Sequence, residues 1–404
     1  LINRFSVEEN RAGVCTHPHR LLQQRLFMPD SWRFSALASR HRALGSALED
    51  WNGMGTAWTY AHDVQDDHTM IRTRAGLMDV SGLKKVHLVG PHANGVLDMV
   101  TTRSAAKIAP GRSAYATMLN DQGFFIDDCI LYRMGPDSWM VVHGSGAGHE
   151  SLVSASQGRN VALLFDDDLH DLSLQGPVAV DFLAQHVPGI RDLPYFAHRG
   201  AKLFGAPVLI SRTGYTGERG YEIFCRSADA PLIWDTILEQ GKAMGIGPAC
   251  FTALDLLRVE SYLLFYPYDM SDMFPFADGS VGDSLWELGL DFTVSKGKTG
   301  FRGADAHFRL KGQERFKIFG VELASEKAPD AGDKLMVDGH DVGVVTLGMV
   351  SKLTGRSLGI ARLDPACAVA GTPLTLVGAQ GTVAATAQPL PFDDPKKTKR
   401  TAVG

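Results

Sequence analysis

The chain has 404 residues, 45% of them hydrophobic and 21% charged, with a net charge of −5. That length exceeds one ordinary core, so two or three domains are expected, and the composition is that of a soluble globular protein. The acidic balance without a basic stripe argues against nucleic acid or an anionic membrane as partner. No apolar run approaches membrane-spanning length, and residues 1–30 carry Arg, His and Gln throughout, so neither a span nor a signal peptide is expected. Five scattered cysteines (Cys15, Cys129, Cys225, Cys250, Cys367) fit reduced thiols of a cytoplasmic protein with no disulfide framework. Residues 1–34 lack a clear period. Cys15-Thr16-His17-Pro18-His19 has no further ligand at metal spacing, so no metal site is expected. Residues 35–50 place Leu37, Leu44 and Leu48 near one helical stripe, and Trp51–Tyr60 reads as a loop entering a strand.

From Lys84 short strands and helices follow: Val86–Val89 a strand, His92–Val100 a helix. Tyr115–Tyr132 reads as strand, turn, strand, because Asn120-Asp121-Gln122-Gly123 carries turn chemistry. Phe124–Tyr132 is apolar except for Asp127-Asp128. Successive strand residues face opposite ways, so one carboxylate is delivered into apolar surroundings, unless both sit in water at a bulge or strand end. Ser138–His143 is a strand ending at Gly144-Ser145-Gly146-Ala147-Gly148. This is the one feature resembling a dinucleotide loop, but His149 stands where the third Gly of G-x-G-x-x-G belongs. Asp166-Asp167-Asp168 reads as a solvated turn. Lys202–Ser211 and Tyr221–Cys225 read as strands, and Ala230–Met244 and Cys250–Leu264 as helices, the second stopped by Pro267. Phe316–Pro391 is rich in Val, Gly and Leu at strand length (Phe316–Leu323, Asp341–Met349, Ser357–Leu363, Leu374–Val377), which predicts a closing all-β barrel. Lys396–Arg400 reads as a solvated basic terminus.

Four motifs occur in order. Asn120-x-x-Gly123-x-x-Ile126-Asp127-Asp128 is preceded by Arg72-Thr73-Arg74-Ala75-Gly76-Leu77-Met78-Asp79-Val80-Ser81. Leu174-Gln175-Gly176-Pro177 and Arg212-Thr213-Gly214-Tyr215-Thr216-Gly217-Glu218-Arg219-Gly220-Tyr221-Glu222-Ile223 follow. Together they resemble the signatures of the aminomethyltransferase family, which includes the T-protein of the glycine cleavage system and related tetrahydrofolate-dependent demethylases. The resemblance covers roughly residues 35–395. It implies an α+β fold, a three-domain cloverleaf of the folate-binding type with a C-terminal all-β barrel. The divisions expected are an extension (1–34), a catalytic region of two α/β subdomains (35–310), the barrel (311–395) and a tail (396–404).

For the site, the resemblance implies tetrahydrofolate as co-substrate, Asp128 as the acid beside its reactive nitrogens, and Tyr115, Tyr215 and Glu222 as folate-binding residues. By residue type alone, the two tyrosines are half-buried strand aromatics and Glu222 a surface strand residue. A Glu carboxylate suits the two-donor edge of a pterin. Relatives carry Val-Val-Asn where this chain has Val141-Val142-His143. His143 is read either as a satisfied strand-end histidine or as a proton donor to the leaving group. Trp58, Tyr60, Phe265 and Tyr266 are read either as core or as the wall for a flat, apolar substrate. Leu254 replaces the Arg of the family's A-R-D-x-x-R-L-E, and Tyr266-Pro267-Tyr268-Asp269 replaces Y-G-N-D. These departures favour a demethylase that moves a methyl group from a small methyl compound (foremost an aromatic methyl ether, or an S- or N-methyl compound) to N5 of tetrahydrofolate. They count against the glycine-cleavage aminomethyltransferase, so no carrier protein is expected. A non-catalytic folate binder of the same fold is the remaining alternative.

Overall fold

The computed structural model describes residues 33–402. The Cys15–His19 reading and nearly all of the extension before Ser35 lie outside the described residues. The hairpin forms from Ser113–Leu119 and Phe125–Gly135. Asn120 Oδ1 accepts from the N–H groups of Gln122 and Phe124 at 3.0 Å each, and Gly123 takes a φ of 80°. A Cβ at Gly123 would stand 2.6 Å from the His307 nitrogen, so both the turn and the close approach need glycine.

Ser138–His143, Lys84–Val89 and Ala162–Phe165 extend this hairpin into an antiparallel five-stranded sheet. Ser138–His143 has antiparallel neighbours on both sides, so the glycine cluster after it is no βαβ dinucleotide turn. One face, with Val86, Leu88, Leu131, Trp139 and Val141, shares a core with Val96 and Leu97 of helix Ala93–Val100 and Leu152 of helix Gly148–Ser156. The other face presents Tyr132, Met140 and Val142 to Phe224 of a second sheet.

That second sheet has six strands, ordered His198–Leu203, Ala206–Ser211, Gly220–Arg226, Leu169–Gln175, Ala75–Asp79 and Ile246–Pro248. Its outer face holds Leu77, Leu172, Leu174, Ile210 and Ile223 under helices Ala179–Ala184 and Ala230–Gly241. The cross-strand register puts Ser173, Ser211 and Glu222 together on its inner face. The six C-terminal strands close into a barrel around Val321, Leu335, Val345, Ala361 and Leu376. Arg362 keys it to the rest of the chain: its guanidinium meets Asp283 at 2.9 Å and lies 3.7 Å over Phe316.

Several expectations are corrected. The helix at 35–50 is only Ala38–Ala43, and a hairpin of Glu49–Trp51 and Met54–Thr56 follows it. The helix at 250–264 is Ala253–Ser261, stopped not by Pro267 but by Tyr262 in a left-handed conformation with a φ of 53°. Asp166 is not a solvated turn residue; it is buried between His87 at 3.0 Å and Arg226 at 2.9 Å. The basic tail is not free in solvent. Arg400 is buried, Lys399 binds Glu218 at 3.1 Å and Asp393 at 2.8 Å, and Arg212 donates to the carbonyls of Arg400 and Ala402. Charges placed on the fold thus found partners that the linear order does not reveal.

Candidate active site

Asp128 and Tyr115 share the inner face of the five-stranded sheet, where Tyr115 Oη donates to Asp128 Oδ2 at 2.7 Å. Burial, then the neighbouring Asp127 charge, pushes the Asp128 carboxyl up to about 7 against the pull of the Tyr115 bond. Burial, Asp128 and Tyr215 hold the Tyr115 phenol well above its ordinary range. Phe292 stacks on Tyr115 with ring centres 6.3 Å apart. Tyr215 donates to the carbonyls of Leu263 and Leu264, and Asp128 also acts on its phenol, so the three groups share one neighbourhood.

Glu222 is buried on the inner face of the other sheet. It accepts from Tyr132 at 3.1 Å and from Thr213, both at Oε2. Among the described residues, Tyr115 is the side-chain donor to Asp128, and Tyr132 and Thr213 are the side-chain donors to Glu222. Burial raises the Glu222 carboxyl. These donor and acceptor types fit a folate ring: two carboxyls, each engaged by side chains at one oxygen, beside aromatic faces.

Sequence reading missed the groups packed behind this pair. Asp171 is fully enclosed, with neither oxygen hydrogen-bonded among the described residues, and burial raises its carboxyl. Lys85, buried on the facing sheet, donates to the carbonyls of Ser81 and Leu83 at 2.7 Å each, and burial lowers its ammonium to about 8. The alternation in Leu169-His170-Asp171-Leu172-Ser173-Leu174-Gln175 was the available signal: polar residues recur on the face turned to the first sheet.

His143 lies on the opposite face from Asp128. Its register partner is Cys129, and its Nδ1 meets Asp127 Oδ2 at 2.9 Å. Trp58 and Phe265 join Trp51 and Phe251 in one aromatic cluster, with the Arg258 guanidinium 5.6 Å from the Phe265 ring. Tyr266 packs on Phe125 at 5.8 Å; burial, Asp272 and Asp127 push its phenol up to about 12. Tyr60 is turned away to His41, at 2.9 Å from Nδ1. Helix Ala253–Ser261 is buried throughout and holds Arg258 between Asp255 at 2.8 Å and Asp269 at 2.6 Å. Among the described residues no cluster of His, Cys, Asp or Glu could hold a metal ion, and no helix is long and apolar enough to cross a membrane.

The GCVT N-terminal domain matches residues 37–298, and the glycine cleavage T-protein C-terminal barrel domain matches residues 317–394. The chain therefore belongs to the glycine cleavage T-protein, or aminomethyltransferase, family of enzymes. Over 93% of its length it is 68% identical to the heme-dependent oxidative N-demethylase gamma subunit of Ectopseudomonas mendocina (strain ymp), all of which is covered. It is 32% identical to an aminomethyltransferase of Saccharopolyspora erythraea, covering 85% of this chain and 93% of that one. It is likewise 32% identical to the trimethylamine-oxide aldolase of Ruegeria pomeroyi, of which it spans 46%. The fold matches the glycine cleavage system aminomethyltransferase T from Bartonella henselae with a TM-score of 0.80 and 25% identity, covering 90% of this chain and 98% of that one.

Proposed function

We propose that this protein is a tetrahydrofolate-dependent one-carbon transferase whose carbon originates as an N-methyl group. The observation that carries the folate half is the Asp128–Tyr115 pair, with the buried Glu222 carboxyl on the inner face of the other sheet. The sequence left the donor among O-, S- and N-methyl compounds, with an aryl ether first. The 68% identity to a subunit named for oxidative N-demethylation moves N-methyl compounds to first place. That name also supports a companion subunit as protein partner, in place of a small-molecule donor alone.

Tetrahydrofolate supplies the nucleophilic nitrogen that accepts the carbon. Glu222 Oε1 accepts from the two-donor edge of the ring and fixes its orientation. Tyr115 occupies Asp128 Oδ2 as donor, which leaves the carboxyl proton to Oδ1. A carboxyl at about 7 is protonated in half its copies at neutral pH and can pass that proton to a ring nitrogen or a departing group. Tyr215, fixed by two carbonyls, walls the same space. The Trp58–Phe265 cluster, against which Tyr215 packs, is the proposed apolar side for the donor, and its rings restrict access of water; Tyr266, turned towards Asp127, is left out of it.

The test is mass spectrometry of the folate after incubation with tetrahydrofolate and, in separate arms, formaldehyde, formaldehyde with a secondary amine, an N-methyl amine, and an aryl methyl ether. Protein-dependent methylene- or methyl-tetrahydrofolate in an amine or formaldehyde arm is expected. Tetrahydrofolate binding by calorimetry without product in any arm would overturn catalysis in favour of a folate-binding role. Product only with the ether would restore the O-methyl donor.

A further inference from the structure

Asp127 and Asp128 are consecutive, so one strand sends two carboxyls to opposite faces of the sheet. Asp127 enters the helix-covered face and is wholly enclosed, at 0% exposure. Three donors converge on it. His143 Nδ1 and the Gly148 N–H reach Oδ2 at 2.9 Å each, and the Asp128 N–H reaches Oδ1 at 2.9 Å. All three are N–H donors, the partners that carboxylate oxygens accept from. A histidine that gives Nδ1–H to a carboxylate carries its lone pair on Nε2. Among the described residues, His143 Nε2 is buried without a hydrogen-bond partner, and Nδ1 makes the ring's bond to Asp127.

The glycine run after His143 is shaped for this clamp. A Cβ at Gly148 would stand 2.5 Å from Asp127 Oδ2 and 3.0 Å from His143 Nδ1, and one at Gly146 would stand 2.6 Å from Asp127 Cγ. Glycine lets the chain cover the carboxylate and aim a backbone N–H at it.

We propose that Asp127, clamped by His143 and Gly148, is a positioning residue whose fixed negative charge sets the protonation state of Asp128 on the other face of the strand. His143 then acts through Asp127, not on the one-carbon donor. The inference rests on the reading of Asp128 as a proton donor. The groups around the pair leave Asp127 in control. Asp128 is faced by the phenols of Tyr115 and Tyr215 and lies beside the Cys129 thiol, all held neutral by burial. On the far face, Tyr266 with its neighbour Asp272 lies towards Asp127. The His149 ring is parallel to His143 at 6.5 Å, with Lys84 and Glu150 acting on His149. Asp127 is the formal charge that acts on Asp128, and burial and that charge together hold its carboxyl up.

The test is carbon-13 NMR of the protein labelled at the aspartate carboxyl carbons, with the Asp128 signal assigned by its loss in Asp128→Asn. In Asp127→Asn the Asp128 midpoint should fall by about one to two pH units. His143→Leu should move it the same way, because it removes the side-chain donor that clamps Asp127. His143→Asn, whose amide N–H can still reach Asp127, should stay near the wild-type midpoint. A folded Asp127→Asn protein with the midpoint moved by less than about 0.3 pH unit overturns the proposal. If Asp127→Asn does not fold, equal midpoints in His143→Leu and His143→Asn overturn it. The pH–rate profile of the same proteins separates the two claims. A moved midpoint with an unmoved turnover limb refutes Asp128 as the proton donor and leaves the control by Asp127 standing.

Discussion

Asp128→Asn should make the protein more stable at alkaline pH while disabling it. The folded carboxyl titrates at about 7, against an ordinary value of 3.8. Each pH unit of that rise is worth roughly 1.36 kcal/mol, so the full shift corresponds to about 4 kcal/mol. The side chain is only half-buried, and solvent screening brings the expected effect to about 2 kcal/mol. The sign follows from proton uptake. Below about pH 4 both the folded and the unfolded chain hold the proton, and the group costs nothing. Between about pH 4 and 7 the unfolded chain releases its proton first, so stability falls as pH rises, and above the folded value the cost is constant. An amide does not ionise in this range and still accepts from Tyr115. Urea midpoints of the two proteins should therefore coincide near pH 4 and separate by about 2 kcal/mol in favour of the variant above about pH 8, with turnover roughly 10²-fold lower. A stability difference that does not vary with pH would refute the account of Asp128.

Glu222→Gln should weaken tetrahydrofolate binding about tenfold to a hundredfold by calorimetry, because a charge-assisted pair becomes a neutral one; unchanged affinity would remove Glu222 from the site. The Arg72 guanidinium is buried between Glu218 at 2.9 Å and Glu260 at 2.8 Å and also donates to the Thr216 and Leu257 carbonyls, so Arg72→Met leaves Glu218 to Lys399, Glu260 to His68 and two carbonyls without this donor. It should cost about 3–5 kcal/mol in chemical denaturation, and a loss below about 1 kcal/mol would contradict the pairing. Deleting residues 396–404 removes Lys399 from Glu218 and Arg400 from its buried seat beside Tyr195. Release of tetrahydrofolate, followed by stopped-flow chase, should then quicken severalfold; an unaltered rate would show that the tail only anchors the chain end.

The sequence by itself determined the strand-turn-strand at Tyr115–Tyr132, the C-terminal barrel and the family. Each rests on local chemistry: alternation along strands, a glycine where φ is positive, and motifs a few residues long. Two barrel strands, Lys334–Val337 and Gly381–Gln388, were not singled out: the first has four residues, too few for a period, and the second is mostly Gly, Ala and Thr, with little contrast between its faces. Helix Val64–Thr73 was also passed over, although Asp63 caps it by accepting from the Gln65 N–H.

Only the tertiary structure decided what the charged and aromatic residues do. Alternation showed that Asp127 and Asp128 part company, but not which of them meets Tyr115 and which meets His143. That depends on strand register, and a one-residue slip would exchange the two faces. Tyr60 and Phe265 look alike in the sequence, yet one serves His41 and the other an aromatic cluster beside Arg258. The basic tail reads as solvated until Glu218 and Asp393 are placed beside Lys399. Burial and long-range pairing fix the state of each ionisable group, and both are set by residues tens to hundreds of positions away in the chain.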